Sequence, residues 1–395
     1  MAELGINGPP GRNRLTSIDM LRGLVLIIMA LDHVRDMVTH PLSTDYSAAV
    51  NFTGSAAAWF FTRWVTHICA PTFVLLAGVS ACLYGASRQR STGEVARFLA
   101  IRGAWLVFME LTAVNFAWSF NLHTLPTLQV IWAIGCSMMA LSALVWLPRA
   151  AIAVMGVLMI TAHNGLDRVQ PALSEASPLW VLLHIPGTLK VGSTPIASVV
   201  YPLVPWIGVM ALGYAIGSFF VGPSPARSRR LLLLGTLLTL SFLLLRLTQL
   251  YGDPVGWDTH PNITATIIDF LNTTKYPPSL QFLLMTLGPA LMLLGWFERL
   301  TGRAARVLVK IGGVSFFYYV AHLYLIHAIA VSIGLWQGFC VHDMTVLFLY
   351  YPANFGVSLC GVYLVWAATV LTMYPACAWF AGIKARRRDW WLKYL

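Results

Sequence analysis

Hydrophobic and polar positions alternate along this chain on a coarse scale, in long apolar runs separated by short polar connectors. Runs of about eighteen or more apolar residues are long enough to cross a bilayer as helices. Ten segments read this way, at 15–35, 57–84, 97–118, 127–147, 150–163, 197–220, 231–250, 278–298, 312–335 and 354–380, the fifth being short. The pattern predicts an all-α polytopic membrane protein, a bundle of about ten transmembrane helices. Residues 1–13 are rich in Gly, Pro and Asn and predict a disordered arm. Residues 14–380 form one transmembrane domain, and 381–395 a basic tail. The longer connectors, 164–196, 251–277 and 336–353, carry Trp180, His184, Trp257 and Tyr276 among turn residues, as expected of ordered caps over a cavity.

Orientation follows from the cations. With the N-terminus inside, 20 of the 26 Lys and Arg residues fall on the cytoplasmic side, so both termini are expected there. Composition agrees with the pattern: 58% of the 395 residues are hydrophobic, 10% are charged, and the mean hydropathy is +0.71. The net charge of +11 does not point to nucleic acid, because the basic residues sit in short clusters between apolar runs. The first run is too long for a cleaved signal peptide and should stay as the first span. The six cysteines show no CxxC or metal-like spacing and read as packing residues, with no metal expected.

Polar residues inside the runs change the picture from a bland bundle to one with chemistry. The first span reads DMLRGLVLIIMALDHVRD from Asp19 to Asp36. As a helix it places Arg22 and His33 within roughly 20° of each other and about 16 Å apart along the axis. Asp19, Arg22, Leu26, Met29, His33 and Asp36 form one stripe, with Asp32 beside it. Ionisable groups in a span are costly and face the bundle interior or a wet cavity. All ten histidines map to the outer half, which favours proton handling there. In the ninth span Tyr318 and Tyr319 precede His322, and Tyr324 precedes His327, at spacings that allow contact along a face. His322 and His327 are about 140° apart, which disfavours a shared zinc site. Pro71, Pro202 and Pro205 break spans two and six, and Gly213 with Gly217 has GxxxG-type spacing, which is weak evidence of a close helix contact. A cavity lined by spans one, two, eight and nine is expected.

The opening RLTSIDMLRGLVLIIMALDH resembles the transmembrane acyltransferase superfamily, which includes heparan-alpha-glucosaminide N-acetyltransferase and bacterial O-acyltransferases with an Arg-x10-His signature. Arg22 and His33 fit that spacing. FTRWVTHICAPTFVLLAG, YPLVPWIGVMALGYAIG, TTKYPPSLQFLLMTLGPALMLL and GGVSFFYYVAHLYLIH resemble a bacterial branch related to that acetyltransferase, spreading the likeness over 14–335. The resemblance implies an acyl group, commonly acetyl, moved from cytoplasmic acyl-CoA to a saccharide or similar polar acceptor on the outer side. Acetyl-CoA is then a co-substrate and no cofactor is permanently bound. The lysosomal enzyme is expected to carry Asn at the position of His33 and its active histidine farther along, where His40 is the nearest candidate, in a loop that does not reproduce its motif.

On this reading His33 is the general base, with Asp32 or Asp36 holding its tautomer and with His40 and His322 as further catalytic candidates. Arg22 and Asp19 meet the donor, and His67, Lys275, Tyr276 and Tyr319 meet the acceptor. The expected surroundings are the bilayer of a bacterial inner membrane, with a homodimer left open and no nucleic acid. The rivals are a proton-coupled secondary transporter of a small polar solute and a non-catalytic membrane assembly factor.

Overall fold

A computed structural model describes residues 15–39, 54–86, 89–169, 177–221, 225–387 and 389. Each of the ten apolar runs coincides with a long helix. These are α1 (Thr16–Val38), α2 (Ala56–Ala86), α3 (Thr92–Ser119), α4 (Val130–Leu144), α5 (Arg149–Arg168), α6 (Leu203–Phe220), α7 (Arg227–Thr248), α8 (Leu280–Phe297), α9 (Ser315–Trp336) and α10 (Leu359–Arg386). Eight of them are long and apolar enough to cross a membrane; the other two are α1, which carries five charged residues, and α4, which is 15 residues long. The protein is an all-α polytopic membrane protein. α10 continues to Arg386, into the segment expected as tail.

Local chemistry explains the helix ends and breaks. Ser91 and Glu94 close a capping box on α3, and the Ser279 and Ser358 side chains accept N–H groups at the starts of α8 and α10. In α2 the ring of Pro71 supplies no N–H, and the preceding turn Val65–Ile68 tightens to a 3-10 helix. Pro202 ends the connector before α6 and Pro205 lies in the helix's first turn, where a missing N–H costs nothing.

α1 is the centre of the bundle rather than a peripheral anchor, since 16 of its 23 residues are buried. Glycines bring it and its neighbours into backbone contact. A Cβ on Gly23 would lie 2.1 Å from the Leu308 carbonyl oxygen, on the short helix Arg303–Gly312, and one on Gly312 would lie 1.9 Å from the Asp19 oxygen. α2 and α6 meet the same way: a Cβ on Gly213 would stand 2.1 Å from the Leu75 oxygen. At the arginine-rich end Glu298 joins three helices, accepting from Ser17 and, at 2.7 Å, from Arg227.

The opposite end is capped by ordered loops. β2 (Gly187–Val191) and β3 (Thr194–Val199) form an antiparallel hairpin, and β1 (Thr127–Leu128) adds to β3 in parallel. Beneath the 251–279 loop, Arg246 of α7 is 1% exposed, and its five donor contacts hold that loop and the start of α8. They reach the carbonyls of Phe270, Val255, Asp269 and Asn272 at 2.8–3.1 Å and Gln281 Oε1 at 3.4 Å. Asp253 completes the frame by accepting from Thr274, Ser279 and Val255.

Candidate functional site

The last turns of α1 carry four ionisable side chains, of which His33 and Arg35 are buried and Asp32 and Asp36 half-buried. Asp32 and Arg35 meet at 3.1 Å across one turn, and Arg35 also donates to Asp36. Lys275, delivered by the Arg246-braced loop, approaches Asp32 Oδ2 at 3.7 Å and lies over the Tyr276 ring. Asp32 and Asp36 thus face Arg35 and Lys275, with Arg63 a third cation within their field, and charges that meet opposite partners are what a low-dielectric interior tolerates. Burial opposes the charge on Lys275, yet Tyr276 and Asp32 beside it hold its pKa above the ordinary lysine value. Tyr276 packs edge-on against Tyr201. His67 lies against Phe282 within the field of Lys275, Arg63 and Asp32, and neither of its ring nitrogens has a hydrogen-bond partner among the described residues.

Next to Asp32 in the chain, His33 meets His322 of α9. Their Nδ1 and Nε2 atoms are 2.8 Å apart, and His322 Nδ1 lies 2.8 Å from the Tyr318 carbonyl oxygen. A carbonyl only accepts, so His322 Nδ1 carries a hydrogen; its Nε2, in the neutral ring, is then a lone pair. That lone pair must take the hydrogen of His33 Nδ1, which leaves His33 Nε2 as an unprotonated base. Trp118 of α3 presents its ring at 5.0 Å and Tyr319 at 6.2 Å, both edgewise to His33.

This geometry corrects one expectation. Neither Asp32 nor Asp36 holds the His33 tautomer, because Arg35 lies between them in sequence and draws both carboxylates, and Lys275 takes the free side of Asp32. His322 holds it instead. His40 lies outside the described residues. His163 and His327 each face two backbone carbonyls, which makes them tie points between segments.

Arg22 shares the α1 stripe with His33 but not its neighbours. Its guanidinium meets Asp19 at 3.3 Å and reaches α2 at Ser80 and the Leu76 carbonyl. A cavity of about 160 Å³ opens at that same end, yet it is lined by Cys82, Gly85, Arg90, Thr92, Arg149 and Tyr214, between α2, α3, α5 and α6. Between spans one, two, eight and nine the described polar side chains come together around His33, Asp32 and Lys275, and span three joins them through Trp118.

Two neighbours of the site escaped the sequence reading. Glu110 is fully buried in the π-helical stretch Glu110–Val114 of α3, and a lone carboxylate inside an apolar run was the signal for it. Trp118, eight residues on, read as one aromatic among many.

The family profile described as heparan-alpha-glucosaminide N-acetyltransferase, catalytic, matches residues 14–244. That stretch includes His33, His67, Glu110 and Trp118, whereas Lys275 and His322 lie beyond it. A protein of Mycolicibacterium smegmatis named an MFS-type efflux pump is 28% identical over 247 residues, which are 61% of this chain and 54% of that protein. The chain spans about half the length of this relative.

Proposed function

The chain belongs to the heparan-alpha-glucosaminide N-acetyltransferase catalytic family, and from that premise we propose that it moves an acetyl group from acetyl-CoA to a saccharide or similar polar acceptor. The observation that carries the reading is the Tyr318 carbonyl, His322, His33 relay, which leaves a basic nitrogen in the bundle interior. His33 Nε2 takes the proton of the acceptor hydroxyl or amine as that atom bonds to the thioester carbonyl carbon. The carbon–sulfur bond breaks, the CoA thiolate leaves, and the proton on His33 passes to it. His322 stabilises the imidazolium formed in between by accepting from Nδ1.

The cation count supports a cytoplasmic arginine-rich end, so the donor enters there and the acceptor from the side of Lys275, Tyr276 and His67. Arg22, whose side chain is 23% exposed, is our candidate for the donor's phosphates, with Asp19 orienting it. Calorimetry with acetyl-CoA on Arg22→Ala tests this: affinity should drop, and unchanged affinity would leave Arg22 as a brace between α1 and α2.

The purified protein should consume acetyl-CoA thioester, faster with a saccharide present. A second reading, a proton-coupled carrier of a small polar solute, draws on the name of the mycobacterial relative and on the buried ion cluster. Solute uptake into vesicles with no thioester loss would decide for it.

A further inference from the structure

The cavity of about 160 Å³ between α2, α3, α5 and α6 is lined by two arginines that the acyl-transfer reading does not use. Arg90 lies just before α3, and Arg149 is the first residue of α5. A stack fixes the first of them. The Arg90 guanidinium stands 3.5 Å over the Tyr84 ring, which stacks in turn on Phe98 of α3 at 3.8 Å. Tyr214 of α6, within the field of Arg149, adds a phenol to the lining.

Among the described residues no carboxylate pairs with either guanidinium. Glu94 lies within the field of Arg90, yet its Oε2 accepts the Ser91 N–H at 2.9 Å and the Ser91 hydroxyl at 3.0 Å as part of the cap of α3. Arg149 stands at the end of its helix where the dipole disfavours a cation, and Pro148 before it supplies no side-chain cap. Two like charges lining one small cavity repel each other, and an anion between them turns a costly arrangement into a favourable one. A volume of about 160 Å³ is well under the roughly 300 Å³ at which pockets begin to enclose whole drug-sized ligands, so the cavity takes a phosphate with its ester arm rather than a nucleotide.

We propose that this cavity binds the phosphate group of an anionic phospholipid from the surrounding bilayer, held by Arg90 and Arg149. Basic pockets between transmembrane helices at the cytoplasmic side take such headgroups. The flanks of the cavity match the depth of a headgroup. Trp146 is exposed beside the start of α3, 3.8 Å from where a Cβ on Gly93 would stand, as an indole at the membrane interface is. Farther along the same helices Ile101 and Phe108 of α3 and Val154 and Leu158 of α5 are exposed, an apolar surface for acyl chains. The cavity is also separate from Arg22. On α2, Cys82 and Gly85 lie roughly 160° and 140° around from Ser80, to which Arg22 donates, so the helix stands between the two. The inference therefore holds whether or not the chain transfers acetyl groups.

The test is native mass spectrometry of the full chain in detergent, titrated with dioleoylphosphatidylglycerol, dioleoylphosphatidylcholine, inorganic phosphate and coenzyme A. Phosphatidylglycerol should bind about tenfold or more tighter than phosphatidylcholine, whose phosphate carries its own cation, and its affinity should fall about tenfold in Arg90→Gln and in Arg149→Gln. Arg229→Gln removes an exposed cation at the same end of the bundle but outside the cavity, and should stay within about twofold of wild type. Arg90→Lys, which keeps the charge and loses the planar stack, takes the place of Arg90→Gln if that variant does not fold, and should weaken binding as well. Equal loss in all three Gln variants, or no loss in Arg90→Gln and Arg149→Gln, overturns the cavity as the binding site. Binding of phosphate or coenzyme A that those two variants abolish, with no preference for phosphatidylglycerol, overturns the lipid as the source of the phosphate.

Discussion

A histidine that has given its one hydrogen to a neighbour has only one thing left to do at its other nitrogen, which is to accept a proton. That is the position of His33. His33→Ala should therefore lower turnover by about 10² to 10⁴ while donor binding holds, as read by steady-state kinetics beside acetyl-CoA calorimetry. A fully active variant would end the assignment. His322→Phe keeps a ring in place and removes the acceptor for Nδ1, so it should slow turnover more than it weakens binding of either substrate. Acid should silence the enzyme, since a protonated His33 has no lone pair to offer, and the rate profile should lack such an acid limb if His33 is idle. The register of Arg22 and His33 was legible because helical periodicity is local. The partner of His33 was not, since 289 residues separate it from His322 and only packing brings the two together. The same limit applied to Asp32 and Asp36: spacing put carboxylates near His33 but said nothing of Arg35 outcompeting it.

Among elements, each apolar run located a helix of the described residues because a bilayer imposes length and composition on each one separately, and eight of these helices are long and apolar enough to cross it. The hairpin Gly187–Val199 was missed: its strands are five and six residues long, and most residues of β2 face outward, so no apolar run marks them. Nor did the sequence show what braces the 251–279 loop. Arg246 looked like a stray cation within span seven and is the frame of that loop. Arg246→Ala would strand four main-chain carbonyls and should cost about 3–5 kcal/mol. Lys keeps the charge without the planar fork and should rescue little. Thermal unfolding, with hydrogen exchange over 253–276, reads both; wild-type exchange in Arg246→Ala would refute the bracing role. The other cap carries a pH dependence. Burial pushes the pKa of His184 down, more than Asp167 beside it restores. A group depressed in the folded state contributes stability at pH above its unfolded value and loses it as pH falls through the folded one. Protection of 178–185 should accordingly weaken on acidification below about pH 6, near the ordinary histidine value, and a protection pattern flat down to pH 4 would contradict this.

For the whole molecule the commitment is orientation. Reporter fusions in the loop before Arg227 and at the C-terminus should both read cytoplasmic, and an outside signal from either would break the route that brings donor and acceptor in from opposite faces.

The glycine contacts of α1 have a mechanical meaning. Where Gly23 and Gly312 let two backbones touch, no layer of side chains remains between the helices to act as a bearing. α1 and the Arg303–Gly312 helix are in effect one forged piece. His33 lies ten residues beyond Gly23, about 15 Å up the same rod. A substitution with a side chain at Gly23 or Gly312 should therefore shift α1, and His33 with it, rather than repack locally. Where α1 meets α9, at His33 and His322, the contact runs instead through two rings and a hydrogen bond.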